Sequence, residues 1–291
     1  MLRISKISFP GLGIGEFSID SVAFSIGDTE IAWYALIITL GMILASMHIV
    51  FRAKQVGISA DTMIDYIIIT IPCGIIGARI YYVAFSDHEF SSFLDVINIR
   101  NGGIAIYGAL IAGAITVYII TRVKKIPFLT IADTVTPGIL LAQGIGRWGN
   151  FTNGEAFGGI TDIFCRMSLN NSLTGYATTA VHPTFLYESL WNVLGFVIAN
   201  IFHKKRQFDG QVFLFIFGWY GFGRMFIEGL RTDSLYASIF GIEFRVSQIL
   251  AGIIFATCAV LMAFMEYKFI KSGKEIKLYY HTESKKIKKE K

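Results

Sequence analysis

Residues 30–51 read EIAWYALIITLGMILASMHIVF, an apolar run whose one acidic residue is the first position. The hydrocarbon core of a bilayer needs about 20 apolar residues in helical form, so this run predicts a membrane-spanning helix. Further runs of the same kind follow along the 291-residue chain. The predicted spans are residues 30–51, 63–85, 103–121, 131–146, 183–202, 211–228 and 246–270. The fourth is short and rich in glycine toward its end, which favours a broken or re-entrant segment.

The composition agrees with a membrane protein. The chain is 54% hydrophobic and 16% charged, whereas a soluble domain carries about 25% charged residues. The net charge of +5 does not indicate nucleic-acid binding, because the lysines lie in short loops and a tail. The three cysteines form no CxxC pair, and we expect no disulfide framework. We therefore predict an all-α polytopic membrane protein.

Loop charge predicts the orientation. Lysine and arginine follow the first, third and fifth spans and fill the C-terminal tail, while the opposite loops contain no lysine. Because positive loops stay in the cytoplasm, we expect the N-terminus outside and the C-terminus inside. This arrangement requires an odd number of spans, in agreement with seven.

The domain boundaries follow from this topology. Residues 1–28 form a predicted extracytoplasmic arm that lacks the continuous apolar core of a cleaved signal peptide, and 17–26 alternates like a strand or an interfacial segment. Residues 29–270 form the seven-span domain, in which 150–182 makes a small extracytoplasmic head. Residues 271–291 form a basic cytoplasmic tail that is attracted to the inner leaflet.

Charged side chains interrupt the predicted spans. A charge in hydrocarbon costs about 2.5–3.5 kcal/mol on insertion scales, so each is a candidate functional residue. The helical rise of about 1.5 Å per residue places most of them near the outer face. Asp65 and Asp133 differ, because they fall at cytoplasmic ends, where a first-turn acid favours the helix dipole. The charged positions are Asp65, Arg79, Asp133, Arg147, Glu188, Arg224 and Glu228.

The sixth span carries an ordered charge pattern. Arg224 and Glu228 are four residues apart and share one helix face, and Arg231 follows three residues later. Such a ladder is either structural, with the carboxylate orienting a guanidinium, or prepared for phosphate, which the planar guanidinium binds with two hydrogen bonds. For Arg79, snorkelling to the interface or internal ion pairing is an equally good explanation.

The string Gly144-Ile-Gly-Arg-Trp-Gly149 matches GxGxxG but follows a predicted membrane helix. A dinucleotide fingerprint needs a preceding strand, so we do not predict a nucleotide site. The glycines instead allow close helix approach or a break in the chain.

The longer string GRWGNFTNGEAFG, residues 146–158, resembles the signature of the bacterial prolipoprotein diacylglyceryl transferases. The resemblance covers most of the chain in order, apart from the N-terminal segment and the lysine-rich tail. Further matching groups are Trp33-Tyr34, Gly77-Ala78-Arg79-Ile80, Gly102-Gly103 with Tyr107-Gly108, His182-Pro183 with Leu186-Tyr187-Glu188, and Arg224 with Glu228 and Arg231.

The resemblance implies transfer of a diacylglyceryl group from phosphatidylglycerol to the lipobox cysteine thiol of a preprolipoprotein signal peptide, with release of glycerol phosphate. It also implies a multi-pass protein of the bacterial cytoplasmic membrane, in contact with membrane lipids, that uses neither metal nor nucleotide. Arg147 and Arg224 would hold the phosphate. The implied catalytic residues are Arg147, Arg224, Tyr107, Glu228 and Glu155; the implied substrate-binding residues are Arg147, Tyr34, Asn150, Gly158, Arg79, His182, Tyr220 and Arg231.

One departure concerns the base. Many family members carry histidine where this chain has Tyr107, and a phenol with an ordinary pKa of about 10 is a poorer base at neutral pH. Either Tyr107 only positions substrate, or the base is dispensable. Glu155 and Tyr107 both stay open as acceptors or relays of the thiol proton.

Other classes of protein fit less well. A transporter or flippase for an anionic lipid or metabolite should have charges along a path through the membrane, and many transporters have internal repeats. Here the inner half is nearly apolar and no repeat is evident. An intramembrane protease would need a motif such as HExxH or paired mid-membrane aspartates, and neither is present. A purely structural scaffold would not need the buried charges.

Overall fold

The structure is a computed structural model that describes residues 4–86, 90–99, 102–171, 180–203, 205–232, 236–239, 242–273 and 278. The chain divides into two compact units. The first unit combines Met1–His48 with Val135–Ile276, and the second combines Ile49–Thr134 with Lys277–Lys291. The basic tail predicted at 271–291 lies almost entirely outside the described residues.

A long helix forms at each of the seven predicted spans. Leucine, isoleucine, phenylalanine and alanine dominate these runs, and in hydrocarbon a helix satisfies every backbone hydrogen bond within the segment. The seven helices are α1 (Trp33–Gln55), α2 (Ala60–Phe85), α4 (Ile106–Lys124), α5 (Phe128–Asn153), α6 (Thr184–His203), α7 (Gln211–Glu228) and α8 (Val246–Ser272); a short α3 (Phe93–Ile97) precedes α4. The predicted helical membrane fold is confirmed.

Six of these helices, among the residues described, are long and apolar enough to cross a membrane: α1, α2, α4, α5, α6 and α8. The 18 residues of α7 include Gln211, Arg224 and Glu228, which lower its mean hydropathy. At about 1.5 Å per residue α7 is about 27 Å long, close to the thickness of the hydrocarbon core. Seven crossings and the N-outside orientation therefore stay predictions.

The fourth span is neither short nor broken, contrary to the sequence prediction. α5 runs without interruption over 26 residues and contains the whole GxGxxG string. Its glycines serve close packing: a Cβ on Gly149 would lie 2.6 Å from the ring of Tyr34, and one on Gly144 would lie 3.3 Å from Asn192 and Val193. Small residues let membrane helices approach without loss of backbone hydrogen bonds.

The two aspartates assigned to first turns lie deeper in their helices than predicted. α2 begins at Ala60, so Asp61 occupies the first turn, and the Asp65 carboxylate instead accepts from Lys124 Nζ at 2.7 Å. Asp133 is the sixth residue of α5 and is fully buried. The helix-dipole explanation is therefore wrong for both, because the dipole effect falls off within the first turn.

Strands from the N-terminal arm and from the 150–182 connection form one sheet, which we call the head sheet. Its strands are β1 (Ile4–Phe9), β2 (Ile14–Asp20), β5 (Met167–Asn171) and β6 (Ala180–Val181), in the order β2-β1-β5-β6. All pairs are antiparallel, and Ser5 faces Asn171 across β1 and β5. Of the two alternatives left open for 17–26, the structure shows strands, because β2 and β3 (Val22–Ile26) cover most of this segment.

The buried face of the head sheet packs on the adjoining ends of α5 and α6. Phe9 lies 6.3 Å from Phe151 between ring centroids, and Phe151 stacks on Phe185 at 4.6 Å. Ile7, Met167, Leu169 and Val181 complete this apolar cluster. Two hairpins complete the described strands: β3 with β4 (Thr29–Ala32), and β7 (Tyr236–Ile239) with β8 (Ile242–Arg245).

Small residues bring α2 and α4 together in the second unit. A Cβ on Gly108 would lie 2.2 Å from the carbonyl oxygen of Gly77, and one on Gly77 would lie 2.2 Å from Ala112 Cβ. The two backbones are thus in direct contact, as small-residue membrane interfaces allow.

Two tryptophans lock α6 to α7 in the first unit. The indoles of Trp191 and Trp219 stack with centroids 4.1 Å apart, and each Nε1 donates to the other residue's backbone carbonyl oxygen at 2.9 Å. A Cβ on Gly195 would lie 2.3 Å from the Trp219 indole, and one on Gly223 would lie 2.1 Å from the Trp191 indole. Each helix thus has a glycine at the position where the tryptophan ring of the other helix packs.

We expect Gly223→Ala to lower the melting temperature of the detergent-solubilised protein, because the methyl group would displace Trp191 and break both hydrogen bonds. At a cost of about 1–3 kcal/mol for overpacking, the melting temperature should fall by several degrees. Gly218→Ala is the matched control on the same helix, since its Cβ would meet Cys258 at an ordinary 3.4 Å. Equal melting temperatures for the two variants would contradict the proposed lock.

Candidate active site

The carboxylate of Glu188, in the second turn of α6, is contacted by three guanidinium groups. Arg224 Nη1 donates to Glu188 Oε1 at 3.0 Å, and Arg231 Nη1 approaches the same oxygen at 3.3 Å. Arg147 Nη2 pairs with the other oxygen, Oε2. One buried carboxylate thus collects arginines from α5, from α7 and from the turn after α7.

A second carboxylate extends this group. Arg224 Nη2 lies 2.5 Å from Glu228 Oε2, one turn further along α7. The predicted pair at i,i+4 therefore forms, while Arg231 reaches Glu188 on α6. We call these five residues the arginine cluster: Arg147, Glu188, Arg224, Glu228 and Arg231.

Burial and charge make the arginine cluster suited to an anion. The side chains of Glu188 and Glu228 are only 4% and 3% exposed, whereas those of Arg147 and Arg224 are 17% and 16% exposed. The two carboxylates are thus almost fully buried, whereas the two arginine side chains stay partly accessible. Three cations and two anions leave one net positive charge, which a singly charged anion would neutralise in a low-dielectric site.

Helix position explains the convergence. Arg147 lies toward the C-terminal end of α5, Glu188 toward the N-terminal end of α6, and Arg224 in the last two turns of α7. The depth argument from the sequence therefore predicted correctly that Arg147 and Arg224 share one location. Arg231 is held next to them by a β-bridge with Gly158.

The connection after α5 carries the other residues of the family string. The Glu155 carboxylate accepts hydrogen bonds from the amides of Asn150 at 3.0 Å and Asn153 at 3.2 Å. Gly158 donates its N–H to the His182 carbonyl at 2.9 Å, and a Cβ there would lie 2.7 Å from His182 Cβ. Only glycine fits at Gly158, so the connection is held against the entry to α6.

His182 belongs to a small polar group next to the arginine cluster. Its Nδ1 lies 3.2 Å from the Tyr187 hydroxyl, which also contacts Cys165 Sγ at 3.7 Å. Partial burial lowers the pKa of the His182 imidazole below its ordinary value, which favours a neutral ring at pH 7.

Tyr34 and Tyr220 lie in the same unit as the arginine cluster. Tyr34 is the second residue of α1, is 38% exposed, and packs its ring on Gly149. Tyr220 precedes Arg224 by one turn of α7 and is half-buried.

Arg79 and Tyr107 belong to the second unit, where Arg79 has a local structural task. Its Nε donates to the Val96 carbonyl at 2.7 Å, and its Nη2 donates to the Asp95 carbonyl at 2.6 Å. Its Nη1 donates to the carbonyls of Gly103 at 2.7 Å and Gly102 at 3.2 Å. Four carbonyls thus occupy the guanidinium, which favours the structural explanation over substrate binding. Tyr107 is 44% exposed, and its ring centroid lies 6.3 Å from that of Tyr81.

Sequence reasoning did not place Glu188 in the site, although it marked the residue as a charge inside an apolar span. The sequence did contain a signal for its role. Arg147, Arg224 and Arg231 lie at one predicted depth, and the single negative charge of Glu228 cannot neutralise three positive charges. Trp148 supports the arginine cluster from α5. Its Nε1 donates to the Oγ of Ser189, the residue after Glu188, at 3.1 Å.

A polytopic helical membrane protein with a buried, anion-ready arginine cluster is therefore the class that fold and site define. The family model for prolipoprotein diacylglyceryl transferase matches residues 21–264, and the chain belongs to this family.

Individual relatives agree with the family assignment. The chain is 45% identical over 217 residues to the phosphatidylglycerol–prolipoprotein diacylglyceryl transferase of Clostridioides difficile (strain 630), covering 74% of this chain and 85% of the relative. It is 40% identical over 259 residues to the protein of that name in Enterococcus faecalis, covering 84% and 90%. A Clostridium perfringens relative is 43% identical over 248 residues, covering 83% and 93%.

We expect Glu188→Gln to destabilise the protein by about 3–5 kcal/mol, the usual cost of removing one partner from a buried ion pair. Three guanidiniums would then face each other with one carboxylate fewer. Thermal unfolding in detergent measures the loss. Adding Arg231→Gln should recover part of it by lowering the local positive charge. A Glu188→Gln protein as stable as the unaltered chain would show that the arginine cluster does not depend on this carboxylate.

Proposed function

We propose that this protein transfers the diacylglyceryl group of phosphatidylglycerol to the lipobox cysteine thiol of preprolipoproteins, forming a thioether and releasing glycerol phosphate. The family assignment and the names of the relatives support a transferase that acts on phosphatidylglycerol and prolipoprotein. The transporter alternative is not supported, because these relatives are named as transferases.

One observation carries the proposal: Arg147 and Arg224 meet at a single buried carboxylate, and both arginine side chains stay partly accessible. A phospholipid phosphodiester bears one negative charge, which matches the single net positive charge of the arginine cluster. Planar guanidiniums bind phosphate oxygens with two parallel hydrogen bonds and stay charged. We assign both arginines to the lipid phosphate.

The reaction is a displacement at the glyceryl carbon. The thiolate sulfur attacks this carbon, the bond from carbon to phosphate oxygen breaks, and glycerol phosphate leaves with the electron pair. Guanidiniums aimed at that oxygen stabilise the developing charge, an effect of about 10²–10³ in rate for each donor. Their positive potential also favours the thiolate, which is the reactive form of the thiol.

The remaining residues position these groups. Glu228 orients Arg224 through their 2.5 Å pair. Glu188 holds Arg147, Arg224 and Arg231 together until the phosphate arrives, and Gly158 fixes the connection above them. Tyr34, Tyr220 and His182 line the approach of the substrates in this proposal. Arg79 acts indirectly, through the loop that it holds.

Glu155 is our preferred acceptor for the thiol proton. Its carboxylate is held by Asn150 and Asn153 in the unit that contains the arginine cluster. A carboxylate can accept a proton, whereas a protonated phenol such as Tyr107 can only relay one.

The membrane context is part of the proposal. The apolar helices support a multi-pass membrane protein. We place it in the bacterial cytoplasmic membrane with the arginine cluster facing the outer leaflet, where the membrane-anchored lipobox segment and the phospholipid headgroup lie at one depth.

We expect Arg224→Lys to lose at least about 10² of the transfer rate, because a point charge cannot replace the two-pronged contact. Mass spectrometry of a lipobox peptide after incubation with phosphatidylglycerol measures the product. Arg122→Lys, at the far end of α4, is the matched control and should transfer at the unaltered rate. Near-normal transfer by Arg224→Lys would overturn the phosphate assignment.

Glu155→Gln and Tyr107→Phe together test the route of the proton. We expect Glu155→Gln to lose most of the transfer and Tyr107→Phe to keep most of it, with the pH profile of kcat unchanged. The same peptide assay between pH 6 and 9 measures both. A slow Tyr107→Phe enzyme with a shifted profile would assign the relay to the phenol instead.

A further inference from the structure

A groove of about 560 Å³ runs between α6 and α7, and we call it the α6–α7 groove. Tyr187, Leu190 and Leu194 line it from α6, at the spacing of one helix face. Phe222 and Phe226 line it from α7. Its wall is almost entirely apolar, and its volume falls in the range of small-molecule sites, about 300–1,000 Å³.

The floor of the α6–α7 groove is rigid. It is formed by Trp191, whose indole is stacked on Trp219 and hydrogen-bonded to its carbonyl. Gly223 leaves the space in which the Trp191 ring lies, so the groove exists because α7 lacks a side chain there. A surface held in this way is preformed for a ligand.

The α6–α7 groove begins at the depth of the arginine cluster. Tyr187 precedes Glu188, and Ile227 precedes Glu228, so both helices change from groove lining to arginine cluster within one residue. From Tyr187 to Leu194 the groove extends about 10 Å along the axis of α6. Its direction is away from the end of α6 that packs on the head sheet.

The mouth of the groove is polar and its sides are open. The Tyr187 hydroxyl contacts His182 Nδ1 at 3.2 Å and Cys165 Sγ at 3.7 Å. Below this group Leu190 is 61% exposed and Phe226 is 58% exposed, so the sides of the groove are open. A ligand with a polar end and an apolar tail matches this order.

We propose that the α6–α7 groove binds one fatty acyl chain of the phospholipid whose phosphate lies at the arginine cluster. The inference rests on the proposed function. A phospholipid carries its phosphate at the headgroup and its chains directly inward, which is the relation between the arginine cluster and the groove. Seating one chain on the rigid Trp191 floor would hold the glyceryl carbon at a fixed distance from the phosphate.

The neighbouring charge favours a phospholipid over a helical peptide as the occupant. The phosphate and the acyl chain belong to one molecule, so an anion bound at the arginine cluster brings its own apolar chain to the groove. An apolar signal-peptide helix carries no such anion.

Photo-crosslinking of the full-length protein in lipid nanodiscs tests the proposal. The probe is phosphatidylglycerol with a diazirine on one acyl chain, and peptide mass spectrometry locates the label. We expect several-fold more label on residues 187–194 and 222–227 than around Ile253, an exposed position on α8. Phosphatidylcholine with the same diazirine chain should lack this enrichment, which separates a donor-lipid site from annular lipid only. Equal labelling of groove and α8, or equal labelling by both lipids, would overturn the proposal.

A variant in which a larger side chain fills the groove gives a second test of the proposal. Leu190→Trp should remove the enrichment and raise the KM for phosphatidylglycerol about tenfold, equivalent to about 1.4 kcal/mol. Leu261→Trp, on the exposed face of α8, is the matched control and should change neither. Crosslinking requires no turnover, so enrichment without transfer would contradict the function alone. Transfer without enrichment would contradict the groove alone.

Discussion

The contact between the Glu188 carboxylate and three guanidiniums is the interaction on which the site depends. Arg147, Arg224 and Arg231 come from separate segments and would repel one another in a low-dielectric interior without a shared anion. The carboxylate lets the three guanidiniums lie side by side. The same contact joins α5, α6 and α7, so the charge arrangement that we propose for phosphate binding also holds these helices together.

Packing around this charged centre relies on missing side chains. Gly149 receives the Tyr34 ring, and Gly223 receives the Trp191 indole. In hydrocarbon there is little hydrophobic driving force between helices, so close contact and internal hydrogen bonds supply the stability. The reciprocal tryptophan pair provides both, and it lies about one turn below the arginine cluster. Rigid helices beneath a charged site keep the guanidiniums at fixed positions, which electrostatic catalysis requires.

Apolar run length predicted all seven long helices, and helical rise predicted the meeting of Arg147 and Arg224. The sequence failed where packing outweighs local propensity. The glycines of α5 suggested a break, yet neighbouring helices fill the space beside Gly144 and Gly149. The role of Glu188 depends on tertiary contacts with two other segments, and the carbonyl ligands of Arg79 come from a loop whose conformation no local pattern specifies.

The head sheet has a consequence for biosynthesis. β1 precedes every membrane helix in the chain and leaves the ribosome before them, but its partner β5 follows α5. With the predicted orientation, β1 is translocated and can pair with β2 at once, but its other edge waits for β5 while α1, α2, α4 and α5 are inserted. Pairing between segments so distant in the sequence forms slowly. The head sheet is therefore completed late in folding. A bulky fusion placed before Ile4 would lower the yield of correctly assembled protein more than the activity of the protein that does assemble.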